Sequence, residues 1–238
     1  EDVKRLKKYD VAAHLSFVAE GIKQIKQRLP NSPLIGFAGS PFTLACYLVQ
    51  GKGSKDFEKA KKFLHQYPHA AEELIAYLSD LTARYLAFQI DAGADTVQIF
   101  ESWGGVLSKD DFCDFSARPI NEIFGRLKPK RVPRMLFVNN VAPYLDVIND
   151  IDCEVIGIDY RVDLAQAAAA IPGKAVQGNL DPSALFETPT RIRERTLQIL
   201  ESLDRHDNLI FNLGHGIQPQ TPIESVQTVV KTVHGFRG

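Results

Sequence analysis

His215 stands between two glycines in Asn212-Leu213-Gly214-His215-Gly216, directly after the apolar run Leu209-Ile210-Phe211. An imidazole so placed can hold or move a proton, or serve structure alone. Ser102 follows a second apolar run, Thr96 to Phe100, and Tyr47 lies a few residues beyond Gly39-Ser40-Pro41. The hydroxyls of both can donate a hydrogen bond to a ligand without adding charge, and a packing role bonded to backbone is the structural alternative for each. Two further runs end alike, Val155 to Ile158 in Asp159-Tyr160 and the next in Gly178-Asn179-Leu180-Asp181-Pro182. Polar residues and glycines therefore gather at one end of several expected strands. A serine and a histidine also invite hydrolase chemistry, but the Gly-x-Ser-x-Gly elbow is missing, and Glu101-Ser102-Trp103-Gly104-Gly105 is a poor substitute.

Other combinations read more simply as structure. Gly51-Lys52-Gly53-Ser54-Lys55 lacks the glycine five residues before Gly-Lys and follows a helix, so it reads as a turn and not as a phosphate cradle. His65 and His69 have the four-residue spacing of a zinc pair on a helix, yet Pro68 interrupts the turn and Gln66 stands where a metalloprotease needs glutamate. Asp110 and Asp111 suit the start of a helix. Cys46, Cys113 and Cys153 lie far apart, with no Cys-x-x-Cys pair, which argues for packing in a reducing compartment and against a disulfide scaffold or thiolate zinc site.

These residues need elements to hold them. The 238 residues are 45% hydrophobic and 24% charged, enough for one large α/β domain or two small ones. A net charge of -1 gives no global reason to expect nucleic acid or an anionic membrane. No apolar run approaches the ~20 residues of a membrane span, and Glu1-Asp2-Val3-Lys4-Arg5 does not open a signal peptide, so a cytoplasmic protein is expected. The chain begins at Glu1 and its one methionine is Met135, so residues are expected to be missing at its front.

Val11, Leu15, Val18, Ile22, Ile25 and Leu29 alternate spacings of four and three, predicting a helix over 11–29 with Asp10 as its cap. A strand at 33–38 then meets Ser40-Pro41, an N-cap followed by a proline in the first turn. The same reading gives a helix over 70–92, a strand at 95–100, and a helix from the Ser108 capping box towards Leu127 that Pro119 kinks. Strands at 134–138, 154–158, 175–178 and 209–212 alternate with helices near 143–149, 164–171, 190–203 and 222–234, the last strand expected to be buried. About six β-α units in unbroken succession imply a parallel sheet with right-handed crossovers. Functional-looking residues at nearly every strand end favour a (β/α)8 barrel over a doubly wound sheet. The expectation is a single barrel domain over 1–238, lacking one or two amino-terminal units.

The stretches Gly36-Phe37-Ala38-Gly39-Ser40-Pro41-Phe42-Thr43-Leu44 with Tyr47, Phe100-Glu101-Ser102, Gly178-Asn179-Leu180-Asp181-Pro182 and Asn212-Leu213-Gly214-His215-Gly216 resemble the uroporphyrinogen decarboxylase family in order and separation. That resemblance implies a (β/α)8 barrel, usually a homodimer, that removes four acetate carboxyl groups from a tetrapyrrole without metal or organic cofactor. It implies substrate contacts at Tyr47, Ser102 and His215, with Phe37, Gly39 and Phe100 lining the pocket. The family's arginine-rich loop and its proton-handling aspartate have no counterpart in these 238 residues, so no catalytic residue is assigned and the chain by itself is expected to turn over little. Arg161, after Asp159-Tyr160, is the one strand-end arginine.

Two other readings stand beside this one. A zinc-dependent corrinoid or thiol methyltransferase of the same superfamily would need a His-x-Cys at a middle strand end and a later cysteine. Here that strand ends in Val138-Asn139-Asn140-Val141 and no cysteine follows Cys153. A non-catalytic, partner-binding barrel remnant is the other.

Overall fold

A computed structural model of the chain describes residues 1–203 and 208–236. It contains two compact units, Glu1–Phe137 with Asp150–Cys153, and Val138–Asn149 with Glu154–Gly238. The first unit opens with α1 (Val11–His14), α2 (Ser16–Arg28), β1 (Ile35–Gly39), α3 (Pro41–Gln50), α4 (Glu58–Gln66), α5 (Pro68–Ala92) and β2 (Thr96–Glu101). It continues with α6 (Lys109–Phe112), α7 (Arg118–Leu127) and β3 (Arg134–Val138), whose last residue falls in the second unit. The second unit carries α8 (Leu145–Asn149), β4 (Val155–Ile158), α9 (Leu164–Ala170), β5 (Ala175–Leu180), α10 (Pro189–Leu200), β6 (Leu209–Leu213) and α11 (Ile223–Gly235).

Strands β1, β2 and β3 are neighbours in that order in the first unit, as are β4, β5 and β6 in the second. Pairing of β1 with β2, and of β4 and β6 with β5, is parallel. Register sets Gly39 opposite Phe100, and Asn179 opposite Asn212. Helices alternating with parallel strands give the α/β class, of the (β/α) barrel type. Every residue of β4, Val-Ile-Gly-Ile, is buried, as a parallel strand covered on both faces requires. The helix α7 buries Ile120, Ile123, Phe124 and Leu127 on one face, each contributing about 1.5–3 kcal/mol by transfer from water.

Caps fall where their chemistry directs. Asp10 accepts from the Ala13 N–H at 3.1 Å, and Ser40 from the Thr43 N–H at 3.0 Å. Gly51 closes α3 in the left-handed region at φ 76, so the Gly-Lys-Gly-Ser stretch is a helix stop.

Three expectations are corrected, and one helix that the sequence did not announce is added. The helix over 11–29 is two pieces broken at Leu15, whose φ of -119 and ψ of 23 leave the helical region. A helix at 58–66 separates the presumed turn from α5; only Ala60 and Leu64 of it are buried, so its apolar stripe is weak. The bend expected at Pro119 is a π turn over Cys113–Ala117, immediately upstream, where the N–H that proline lacks would have bonded to the Phe115 carbonyl. The strand β6 alternates half-buried and exposed residues instead of being buried throughout, because among the described residues it pairs with β5 alone.

Candidate functional site

In the first unit, the carboxyl ends of β1 and β2 are tied together by Glu101, which is fully buried. Its Oε2 accepts from the hydroxyls of Ser40 (2.6 Å) and Ser116 (2.7 Å). Its Oε1 accepts from the Thr43 hydroxyl (2.6 Å) and the N–H groups of Gly104 (2.8 Å) and Trp103 (3.2 Å). Every partner donates, which is the role of an ionised carboxylate, and charge-assisted bonds of this kind are about twice as strong as neutral ones. The Thr43 oxygen in turn accepts from the Ser102 N–H at 2.9 Å. Glu101 thereby fixes the backbone of Ser102 and the first turn of α3. Gly104 must be glycine, since a Cβ there would lie 2.6 Å from the Glu101 Cγ.

Tyr47 is on α3, the same helix as Thr43, and is 45% exposed. Its ring meets Phe57 (6.1 Å) and Trp103 (6.2 Å) edge-on, which holds the ring and leaves its hydroxyl without a partner among the described residues. Phe37, 60% exposed, stands edge-on to Phe100 at 5.8 Å, and Phe100 meets Phe137 at the same distance. Gln89 of α5 clamps β1 by accepting from the Phe37 N–H (3.0 Å) and donating to its carbonyl (2.9 Å). Phe37, Gly39 and Phe100 are thus neighbours on β1 and β2, and Tyr47 of α3 meets Trp103, the residue after Ser102. Burial, with Glu101 nearby as a second cause, pushes the Cys46 thiol far above its ordinary value, so this cysteine is an inert packing residue.

His215 belongs to the second unit and is exposed in the loop after β6. That loop lies against the loop after β4: a Cβ on Gly214 would stand 2.7 Å from the Tyr160 Cβ and 2.8 Å from its Cα. The Gly214 N–H extends the β5 ladder by donating to the Leu180 carbonyl at 2.8 Å. Asn179 ties β5 to the same β4 loop, its amide donating to the carbonyls of Asp159 (3.1 Å) and Val162 (2.6 Å). The motif asparagine and glycine therefore hold the loop from two sides. A nearby cavity of about 260 Å³, bordered by Tyr160, Asn179 and Asp181, includes Arg195, whose charge Glu187 already meets at 2.8 Å.

His65 lies in the last turn of α4 and faces Asp111 at 3.4 Å, while His69 lies in the first turn of α5, so they do not share a helix. Among the described residues no group of three His, Cys, Asp or Glu is placed to hold a metal. Glu101 is the residue that sequence reasoning left without a role. The available signal was an acidic residue closing an apolar run, together with Ser-Pro-x-Thr at the start of α3, after the preceding strand.

The family model for uroporphyrinogen decarboxylase matches residues 1–236. The chain is 41% identical to a uroporphyrinogen decarboxylase of Polaromonas sp., over 92% of this chain and 64% of the relative. It is 40% identical to that of Dechloromonas aromatica, over 94% and 65%. The chain thus spans slightly less than two thirds of these curated relatives. Among solved structures it is similar to a methyltransferase from Methanosarcina mazei, with TM-score 0.80, 22% identity, and coverage of 92% of this chain and 63% of the other. It also resembles a B12-independent methionine synthase from Shewanella sp. W3-18-1, with TM-score 0.68, 12% identity, and coverage of 96% and 65%. These two likenesses are of fold.

Proposed function

The chain belongs to the uroporphyrinogen decarboxylase family, and we propose that it forms part of an enzyme that removes the four acetate carboxyl groups of uroporphyrinogen to give coproporphyrinogen. The family match across residues 1–236 carries this reading.

The chemistry fits a site built from neutral donors and one imidazole. Each acetate carboxylate lies one methylene from an electron-rich pyrrole. A proton added to the ring carbon makes an iminium-like sink, the carbon–carbon bond breaks towards it, and carbon dioxide leaves. A proton then takes the vacated place on the methylene, which becomes methyl, and the ring gives back the first. The protein has to place carboxylates, move protons and stabilise transient charge, and no nucleophile is needed. In this reading Tyr47 and Ser102 donate hydrogen bonds to substrate carboxylates, and His215 fixes another as donor or cation. Phe37, Gly39 and Phe100 line the pocket, where aromatic faces suit a flat macrocycle. A cytoplasmic homodimer acting on a tetrapyrrole, without nucleic acid, membrane, metal or organic cofactor, completes the proposal.

The likeness to the Methanosarcina protein raises methyl transfer as the second reading. Zinc-dependent transfer needs thiolate-rich donors, and β3 here runs into Asn139 and Asn140, with no cysteine after Cys153. Uroporphyrinogen incubated without oxygen, with and without a strong chelator, separates the two. Carbon dioxide release that the chelator leaves unchanged supports the decarboxylase; release abolished by the chelator and restored by zinc overturns the cofactor-free reading.

A further inference from the structure

Arg161 follows β4, and three groups orient its side chain within the second unit. Its Nη1 donates to the Asn139 side-chain oxygen at 3.1 Å and to the Asp159 Oδ1 at 3.2 Å. Its guanidinium carbon lies 4.4 Å from the centroid of the Tyr160 ring. Asp159 is fully buried and is itself held by the N–H groups of Val141 (2.8 Å) and Arg161 (2.9 Å). Asn140, in the left-handed region at φ 58, turns the chain between Asn139 and Val141 so that both meet this cluster.

The guanidinium is thus fixed along one edge and stacked on one face, while its side chain stays 44% exposed. Nε and Nη2, the edge that grips a carboxylate with two parallel bonds, have no partner among the described residues. Orientation is already set by Asn139, Asp159 and Tyr160, so little side-chain freedom is lost when a ligand arrives. Asp159 does not occupy the site, because it holds Nη1 and leaves the Nε/Nη2 edge open. The loop also abuts the Gly214-His215 turn, with Gly214 packed on the Tyr160 backbone. A planar cation and an imidazole thus stand on adjoining loops at the carboxyl ends of β4 and β6, the face on which folds of this type place their ligands.

We propose that Arg161 is a carboxylate-binding residue of the substrate site, gripping one peripheral carboxylate of the macrocycle through its Nε and Nη2 edge. This inference rests on the decarboxylase reading. It assigns to this chain a cationic partner for a polyanionic substrate.

Arg161→Gln and Arg161→Lys, made in the protein as its gene encodes it, test the assignment by steady-state kinetics on uroporphyrinogen. Loss of one charge-assisted pair at a half-exposed position predicts a rise in KM of about ten-fold for Arg161→Gln, with kcat within about two-fold. Arg161→Lys keeps the charge without the fork and is expected to raise KM several-fold. Raising the sodium chloride concentration should increase KM more steeply in the wild type than in Arg161→Gln. A KM unchanged in a folded Arg161→Gln protein overturns the proposal; if that variant does not fold, an unchanged KM in Arg161→Lys does so. A wild type that removes no carboxyl group overturns the decarboxylase reading itself, whereas a working wild type with indifferent variants overturns the role of Arg161 alone.

Discussion

His215 and Tyr47 present polar groups that no described protein group occupies, and this defines what their loss should do. Replacing His215 with Asn keeps a donor of similar size but removes the ring and any positive charge. If His215 fixes a substrate carboxylate, kcat/KM for uroporphyrinogen should fall about 10–100-fold, with the unfolding midpoint unchanged because the side chain is exposed. Tyr47→Phe should cost about ten-fold, mainly in KM, since the ring keeps its contacts with Phe57 and Trp103. Unchanged kinetics in both variants would remove these residues from the site. His215 and Ser102 were legible in the sequence because a polar residue after an apolar run marks a strand end. Arg161 was visible there as well, but its orientation was not, since that depends on Asn139, 22 positions away, and on a ring stacking that no spacing encodes.

Elements here are joined by buried polar groups as much as by apolar faces. Glu101 binds β2 to the start of α3 through Ser40 and Thr43, 61 and 58 positions away, and to the π turn through Ser116, 15 away. Glu101→Gln would turn an acceptor into a donor facing groups that already donate, leaving buried hydroxyls and N–H groups unpaired. An expected loss of about 2–3 kcal/mol follows, measurable as a lower denaturant midpoint with unchanged slope. Stability equal to the wild type would show that the cluster rearranges freely. Most strands and long helices could be read from the sequence, because runs such as 155–158 and the stripe of α5 follow burial directly. The misplaced boundaries have local causes: α4 carries four charged residues in nine, and the consequence of Pro119 is expressed upstream, at the carbonyl its ring leaves without a donor. The Glu101 cluster left little trace beyond the acidic end of an apolar run, because its partners become neighbours only once β1 and β2 pair.

At the scale of the molecule, acid stability should be set by carboxylates held beside cations. Asp152 is kept below its ordinary value of 3.8 first by the hydrogen bond from Arg134 and then by that from Lys128. A depressed carboxylate contributes stability that is fully present above that ordinary value and disappears as pH falls through the lower folded value. Asp152→Asn should therefore unfold at a lower temperature than the wild type at neutral pH, and the gap should narrow only below about pH 4. A gap that persists undiminished in strong acid would contradict the linkage. The proposed function rests on the family match. Its most direct test is a count of carboxyl groups: uroporphyrinogen is incubated anaerobically with the protein as its gene encodes it, and the products are oxidised and separated by chromatography. Species with seven, six and five carboxyl groups are expected in succession, ending at coproporphyrin with four. A macrocycle recovered with all eight would contradict it.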